Sequence, residues 1–152
     1  MSPRELKQRK RNDYGYILEY RTRWSDNDMY DHMNNSIYTC EHNVCSPSGF
    51  TFRRHELIVQ HRYGLVVHSH GDFFGSIGFP AVADLALRVN KLGRTSVTYE
   101  VALFERGVED VKSVGELVHV FVDRETGRPA AQGMESKLRD GLQKIQVKQS
   151  KL

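Results

Sequence analysis

Apolar residues fall at every second position through much of the chain. Leu85, Leu87 and Val89 are interleaved with Ala86, Arg88 and Asn90. After a turn at Gly93, Val97, Tyr99, Val101 and Leu103 alternate with Ser96, Thr98, Glu100 and Ala102. A period of two is that of a strand with one face buried, so the two runs predict a β-hairpin. A turn at Gly107 leads into another strand over Val114 to Val122. Nearer the N-terminus, Tyr16, Leu18 and Tyr20 share one side of a strand over Tyr14 to Arg23, and Gly64 to His70 forms a further strand. Phe73 to Pro80 is a bend rich in glycine and aromatic residues, and Asp123 to Pro129 is a turn by composition. The period then changes: Met134, Leu138, Leu142 and Ile145 recur at helical spacing and predict a short amphipathic helix.

Three long antiparallel strands in succession imply a curved sheet, and such a sheet needs a cover for its inner face. The place for a covering helix is between Asn35 and Gly64. The composition there argues against one. Thr39 to Gly49 carries Pro47, Gly49, Ser46 and Ser48, and in a helix interior proline costs about 3 kcal/mol and glycine about 1. Phe50 to Arg62 offers Phe50, Phe52, Leu57, Ile58 and Val59 without a sustained spacing of three and four.

A length of 152 residues fits one domain, read here as residues 14–146, with a flexible basic tail at 1–13 and a short tail at 147–152. The net charge of +3 owes much to Arg4, Lys7, Arg9, Lys10 and Arg11, which read as a solvated terminus. No basic residues interleave with aromatics through the domain, so nucleic acid is not an expected partner. No apolar run approaches a membrane span. The two cysteines, Cys40 and Cys45, exclude a disulfide scaffold. With His42 they spell Cys-x-His-x-x-Cys, but no second pair of ligands is visible. His68 and His70 face one side of a strand without an evident third ligand, so no metal is expected.

The densest chemistry lies in Trp24-Ser25-Asp26-Asn27-Asp28-Met29-Tyr30-Asp31-His32-Met33-Asn34-Asn35. Three carboxylates, a histidine and three amides crowd into one segment directly after a strand, and acids so close together repel. Asp26 and Asp31 read as a helix cap or turn formers. His32 reads equally as a hydrogen-bonded structural histidine, Asn34 and Asn35 read first as residues satisfying loop backbone groups, and Tyr38 as a packing residue.

Asp28 followed by His32, Asn34-Asn35 and Tyr38 resembles the active-site segment of hotdog-fold thioesterases, the 4-hydroxybenzoyl-CoA thioesterase-like family. The pattern of that family is roughly Asp-x-Asp-x-x-Gly-His-x-Asn-Asn-x-x-Tyr. Asp72-Phe73-Phe74, the Pro80 bend, Leu87-Arg88-Val89 and Ser96 to Glu100 are similar to its sheet in order and spacing. The resemblance covers about Tyr16 to Asp123 and implies an α+β fold, a curved antiparallel sheet wrapped around a central helix. It also implies a homodimer, or a dimer of dimers, joined edge to edge, with active sites at the dimer interface. Two departures stand out: Asp31 replaces the glycine before the histidine, and Thr39 to Arg62 lacks the apolar character of the family helix.

The activity implied is hydrolysis of an acyl-CoA thioester, with coenzyme A entering only as part of the substrate and no cofactor. Asp28 matches the acid of the family pattern and would act as nucleophile or general base, a role open to a carboxylate ionised at neutral pH. His32 and Asn35 are the other candidate catalytic residues. Asn34 and Tyr38 are candidate substrate contacts, and Arg88 and Arg94 candidate partners for the coenzyme A phosphates. Backbone N–H groups at the start of the following helix would hold the oxyanion. A hotdog hydratase fits less well, and a non-catalytic acyl-CoA-binding protein is the alternative. The chain stops at Ser150-Lys151-Leu152, a tripeptide read by the peroxisomal import receptor. A peroxisomal matrix location is therefore expected, with cytoplasm or mitochondrion as alternatives.

Overall fold

The alternating runs become five strands: β1 (Tyr16–Arg21), β2 (Arg62–Phe73), β3 (Val82–Leu92), β4 (Ser96–Glu105) and β5 (Val111–Asp123). They form one antiparallel sheet in the order β1-β3-β4-β5-β2, in a computed structural model that describes residues 1–38 and 62–147. Thus β3, β4 and β5 run as a meander, while β1 and β2 take the two edges. Two short helices, α1 (Pro3–Leu6) and α2 (Ser136–Lys144), lie outside the sheet, and residues 35–38 form a helical turn. Among the described residues no helix is long and apolar enough to cross a membrane.

Register assigns the two faces. Leu85, Leu87 and Val89 of β3 and Val97, Tyr99, Val101 and Leu103 of β4 share the inner face with Leu117 of β5. Onto them pack Met33 and Tyr38 from the segment after β1, and Leu138, Leu142 and Ile145 from α2. The α2 segment then extends the sheet locally, because Val89 donates to the Ile145 carbonyl and Val147 donates to that of Val89. Gly15 permits this approach, since a Cβ there would stand 3.1 Å from Ile145. The segment expected to cover the inner face, Thr39 to Arg62, lies outside the described residues except for Arg62, which opens β2.

The outer face differs from the sequence expectation. Residues 1–13 read as a solvated tail, yet they lie against the sheet. Ser2 caps α1 reciprocally with Glu5, and Pro3 occupies its first turn, where a missing N–H costs nothing. Leu6 and Tyr14 bury themselves against Ala86, Ala102 and Phe104. Arg11 donates to the carbonyls of Val108 and Glu105, both at 2.7 Å, and pairs with Asp84 at 3.3 Å. Arg9 reaches Glu100 at 2.8 Å. Arg9 and Arg11 anchor the segment, while Arg4, Lys7 and Lys10 are exposed.

Candidate active site

The loop between β1 and the helical turn is built from side chains that bind backbone. Thr22 accepts the Ala81 N–H with its hydroxyl at 2.8 Å, stitching the end of β1 to the bend before β3. A 3-10 turn follows over Trp24–Asp26. The Asp26 carboxylate is buried and accepts from the Tyr20 hydroxyl (2.6 Å) and the Arg23 N–H (2.7 Å). It is a turn former, as its short side chain suggests. Asn27 accepts the Phe79 N–H at 3.1 Å and so ties the loop to the Phe73 to Pro80 bend.

Asp28 closes the next tight loop upon itself. Its Oδ1 accepts the backbone N–H groups of Tyr30 (2.8 Å) and His32 (3.2 Å), and its own N–H donates to the His32 carbonyl at 2.7 Å. The link between Asp28 and His32 therefore runs through backbone. The His32 imidazole is exposed and makes no hydrogen bond among the described residues. Asp31 takes φ +61°, the left-handed conformation that the family's glycine would adopt freely and that aspartate tolerates better than most residues. Its carbonyl crowds Gly78, where a Cβ would come within 2.8 Å, so the bend needs glycine there.

Asn34 caps the helical turn. Its Oδ1 accepts the N–H and hydroxyl of Ser36, both at 2.9 Å, so this side chain is occupied by the chain itself. One turn further on, the Tyr38 hydroxyl accepts the Ile77 N–H at 2.9 Å and its ring meets Phe73 edge-on at 5.4 Å. Burial raises the Tyr38 phenol above its ordinary pKa, so it stays protonated.

These pieces enclose a cavity of about 210 Å³. Asp28, His32, Asn35 and Tyr38 line it from the motif side. Phe73, Gly75 and Ser76 line it from the end of β2 and the bend, and the sequence pattern had not marked them as site residues. What could have marked them is the density of aromatics and glycines in the bend, a composition suited to a wall that backbone approaches closely. Asn34 is not among the lining residues.

The two arginines stand elsewhere. Arg88 lies on the outer face of β3, buried, and pairs with Glu100 at 3.1 Å. An arginine expected at the coenzyme A phosphates is thus held beneath the N-terminal segment, on the other side of the sheet from the cavity. Arg94 sits in the turn between β3 and β4, where it donates to the Ala131 carbonyl at 2.7 Å. The eleven residues of β3 separate that turn from the bend, a span of about 30 Å at strand rise. Neither arginine of this chain reaches the cavity. Ser150, Lys151 and Leu152 lie outside the described residues.

The arrangement of sheet, loop and helical turn is shared with solved structures. The PA5185 protein of Pseudomonas aeruginosa strain PAO1 is 36% identical and superposes with a TM-score of 0.82, over 90% of this chain and 95% of that one. DHNA-CoA thioesterase from Staphylococcus aureus is 17% identical, with a TM-score of 0.67 over 75% of this chain and 78% of that one. A predicted thioesterase from Bacillus stearothermophilus is 19% identical, with a TM-score of 0.69 over 89% and 98%. The family model for the acyl-ACP thioesterase C-terminal domain matches residues 9–43, the segment that carries the motif. A comparison with curated proteins finds no match. The five-stranded sheet is a hotdog fold, and the chain belongs to the hotdog-fold thioesterases of the 4-hydroxybenzoyl-CoA thioesterase-like family.

Proposed function

We propose that this protein hydrolyses an acyl-CoA thioester, with Asp28 as general base or nucleophile. The observation that carries the reading is the cavity that gathers Asp28, His32, Asn35 and Tyr38 at the start of a helical turn. Asp28 commits Oδ1 to its loop, which fixes the carboxylate, while no described residue donates to Oδ2. As a base, that oxygen takes a proton from water as the water oxygen attacks the thioester carbonyl. The tetrahedral intermediate then collapses, the C–S bond breaks, and the thiolate leaves without needing strong acid assistance. As a nucleophile, the carboxylate would form a mixed anhydride that water opens. In either case the positive end of the helical turn favours the negative charge that develops on the carbonyl oxygen. In this reading His32 and Asn35, which line the cavity, hydrogen-bond the substrate, and the phosphates of coenzyme A find partners other than Arg88 and Arg94 of the same chain.

A second reading is favoured by the loop-closing hydrogen bonds of Asp28: a protein that binds acyl-CoA without turning it over. Thiol release from a panel of acyl-CoAs separates the two. The Asp28→Asn variant is expected to lose about 10²- to 10⁴-fold in kcat, the range of a general base. Unchanged slow release in both proteins, with acyl-CoA affinity retained, would establish the binding protein instead.

A further inference from the structure

The outer face of the sheet holds a second cluster of chemistry, on the side away from the cavity. His68 and His70 alternate on β2, and the register places His70 opposite Glu116 of β5. Glu116 in turn stands opposite Glu100 of β4, which marks all these side chains as belonging to the outer face. Asp72 follows the histidine pair on the same strand, but the carboxylate that comes together with the two imidazoles is that of Glu116, 46 residues from His70 in sequence. One ligand atom from each of His68, His70 and Glu116 lies within 4.8 Å of the others.

We propose that His68, His70 and Glu116 form a binding site for a divalent transition-metal ion of the zinc class, clipping the edge strand β2 to β5. Two imidazole nitrogens and a carboxylate oxygen are the donor set that borderline ions such as Zn²⁺ and Co²⁺ prefer, and hard ions such as Mg²⁺ do not. The spacing fits. With bonds of about 2.0–2.1 Å to nitrogen, two tetrahedral ligand atoms stand roughly 3.3 Å apart. His68 Nε2 and His70 Nδ1 are 3.2 Å apart. Glu116 has only to swing in from a partly exposed position, a rotation of a flexible side chain with no backbone movement.

Access for a fourth ligand comes from a neighbouring cavity. His70 and Glu116 line a space of about 260 Å³ whose walls include Asn90 and Glu100 on the sheet and Leu6 on the N-terminal segment. Three protein ligands with an open fourth position describe a site that exchanges water or a small anion. The position is structural in effect, because two ligands come from the edge strand and one from its neighbour. It is independent of Asp28, which lines a cavity on the opposite face.

The test is equilibrium dialysis of the full chain against Zn²⁺, with bound metal counted by mass spectrometry. It is done in a Cys40→Ser/Cys45→Ser background, so that thiolates do not contribute. One ion per chain is expected, with affinity reduced on the order of 100-fold in His70→Ala, at least the loss typical of disturbing a ligand's support. Glu116→Gln should weaken binding less, and Asp28→Asn not at all. Melting supplies an independent readout: Zn²⁺ should raise Tm of the parent and leave that of His68→Ala/His70→Ala unchanged. His68 and His70 are exposed, so the variants should keep the far-ultraviolet circular dichroism of the parent. The more conservative His70→Gln provides the same comparison if the double variant is unstable. No stoichiometric binding, or binding that survives removal of both histidines, would overturn the site.

Discussion

Among the described residues Glu100 is the most heavily engaged charge. Its Oε1 accepts from Arg9 and from the Tyr14 hydroxyl, and its Oε2 from Arg88 and Asn90, all within 3.1 Å. Burial by itself would raise this carboxyl; the hydrogen bonds from Arg9 and Asn90 and the charge of Arg88 outweigh it and hold the pKa below its usual value. Removing the charge strands two guanidinium groups under the N-terminal segment. Glu100→Gln is expected to destabilise the fold by about 3–5 kcal/mol in urea titrations, the cost of breaking a buried ion pair. Tyr38→Phe removes only the hydroxyl that receives the Ile77 N–H, and should cost about 1–3 kcal/mol while loosening the cavity wall. His119 supplies a pH dependence. Burial depresses its pKa below the ordinary 6.5, so the folded protein keeps it neutral while the unfolded chain takes up a proton first. Its stabilising effect is complete above pH 6.5 and is lost as pH falls from there toward the folded value; Glu100 adds a second loss below about 4.5. Urea midpoints should therefore drop on acidification from pH 7 to 5.5, and drop less in His119→Gln. At this scale the position of Asp28 in a dense polar loop was legible from its neighbours in sequence, whereas the burial of Arg88 was not. Its guanidinium lies 5.6 Å from the centre of the Tyr14 ring and shares Glu100 with Arg9, neighbours that only the fold supplies.

At the scale of elements, the strands that form the meander announce themselves by alternation, because apolar side chains on one face alone make a period of two. The boundaries were short: β5 begins at Val111 and β2 runs on to Phe73, each beyond the expected strand. Lysine, serine and aspartate at those ends break the apolar pattern without breaking the backbone ladder. α2 was legible for the same reason as the meander, at helical period, and its Leu138 and Leu142 do face the core. The N-terminal segment escaped notice because it is attached by charge and by a single leucine, and polar composition reads as solvation. Leu6 is 8% exposed, and Leu6→Ala is expected to cost about 2–3 kcal/mol, near the lower end for a buried leucine since the segment can settle. Limited proteolysis near Arg9 should become faster in that variant.

For the whole molecule, the long edge is β2. Leu65, Val66 and Val67 are all more than 40% exposed on it, and an unprotected apolar edge of this length invites a further strand. We propose that a second copy pairs there, as the family resemblance implies; Val67→Lys is then expected to shift the sedimentation coefficient from dimer toward monomer. The strand order also has a bearing on how the chain comes to be folded. Both edge strands leave the ribosome before Val82 and must wait for partners made later: β1 for β3, and β2 for β5 at the far end of the sheet. Among the described strands only those of the meander pair with neighbours in sequence, so it is the natural nucleus. Substitutions in β3 to β5 should slow refolding, while those in β1 and β2 should chiefly hasten unfolding. The two edge strands that flank the motif in sequence are then among the first parts synthesised and the last to join the sheet.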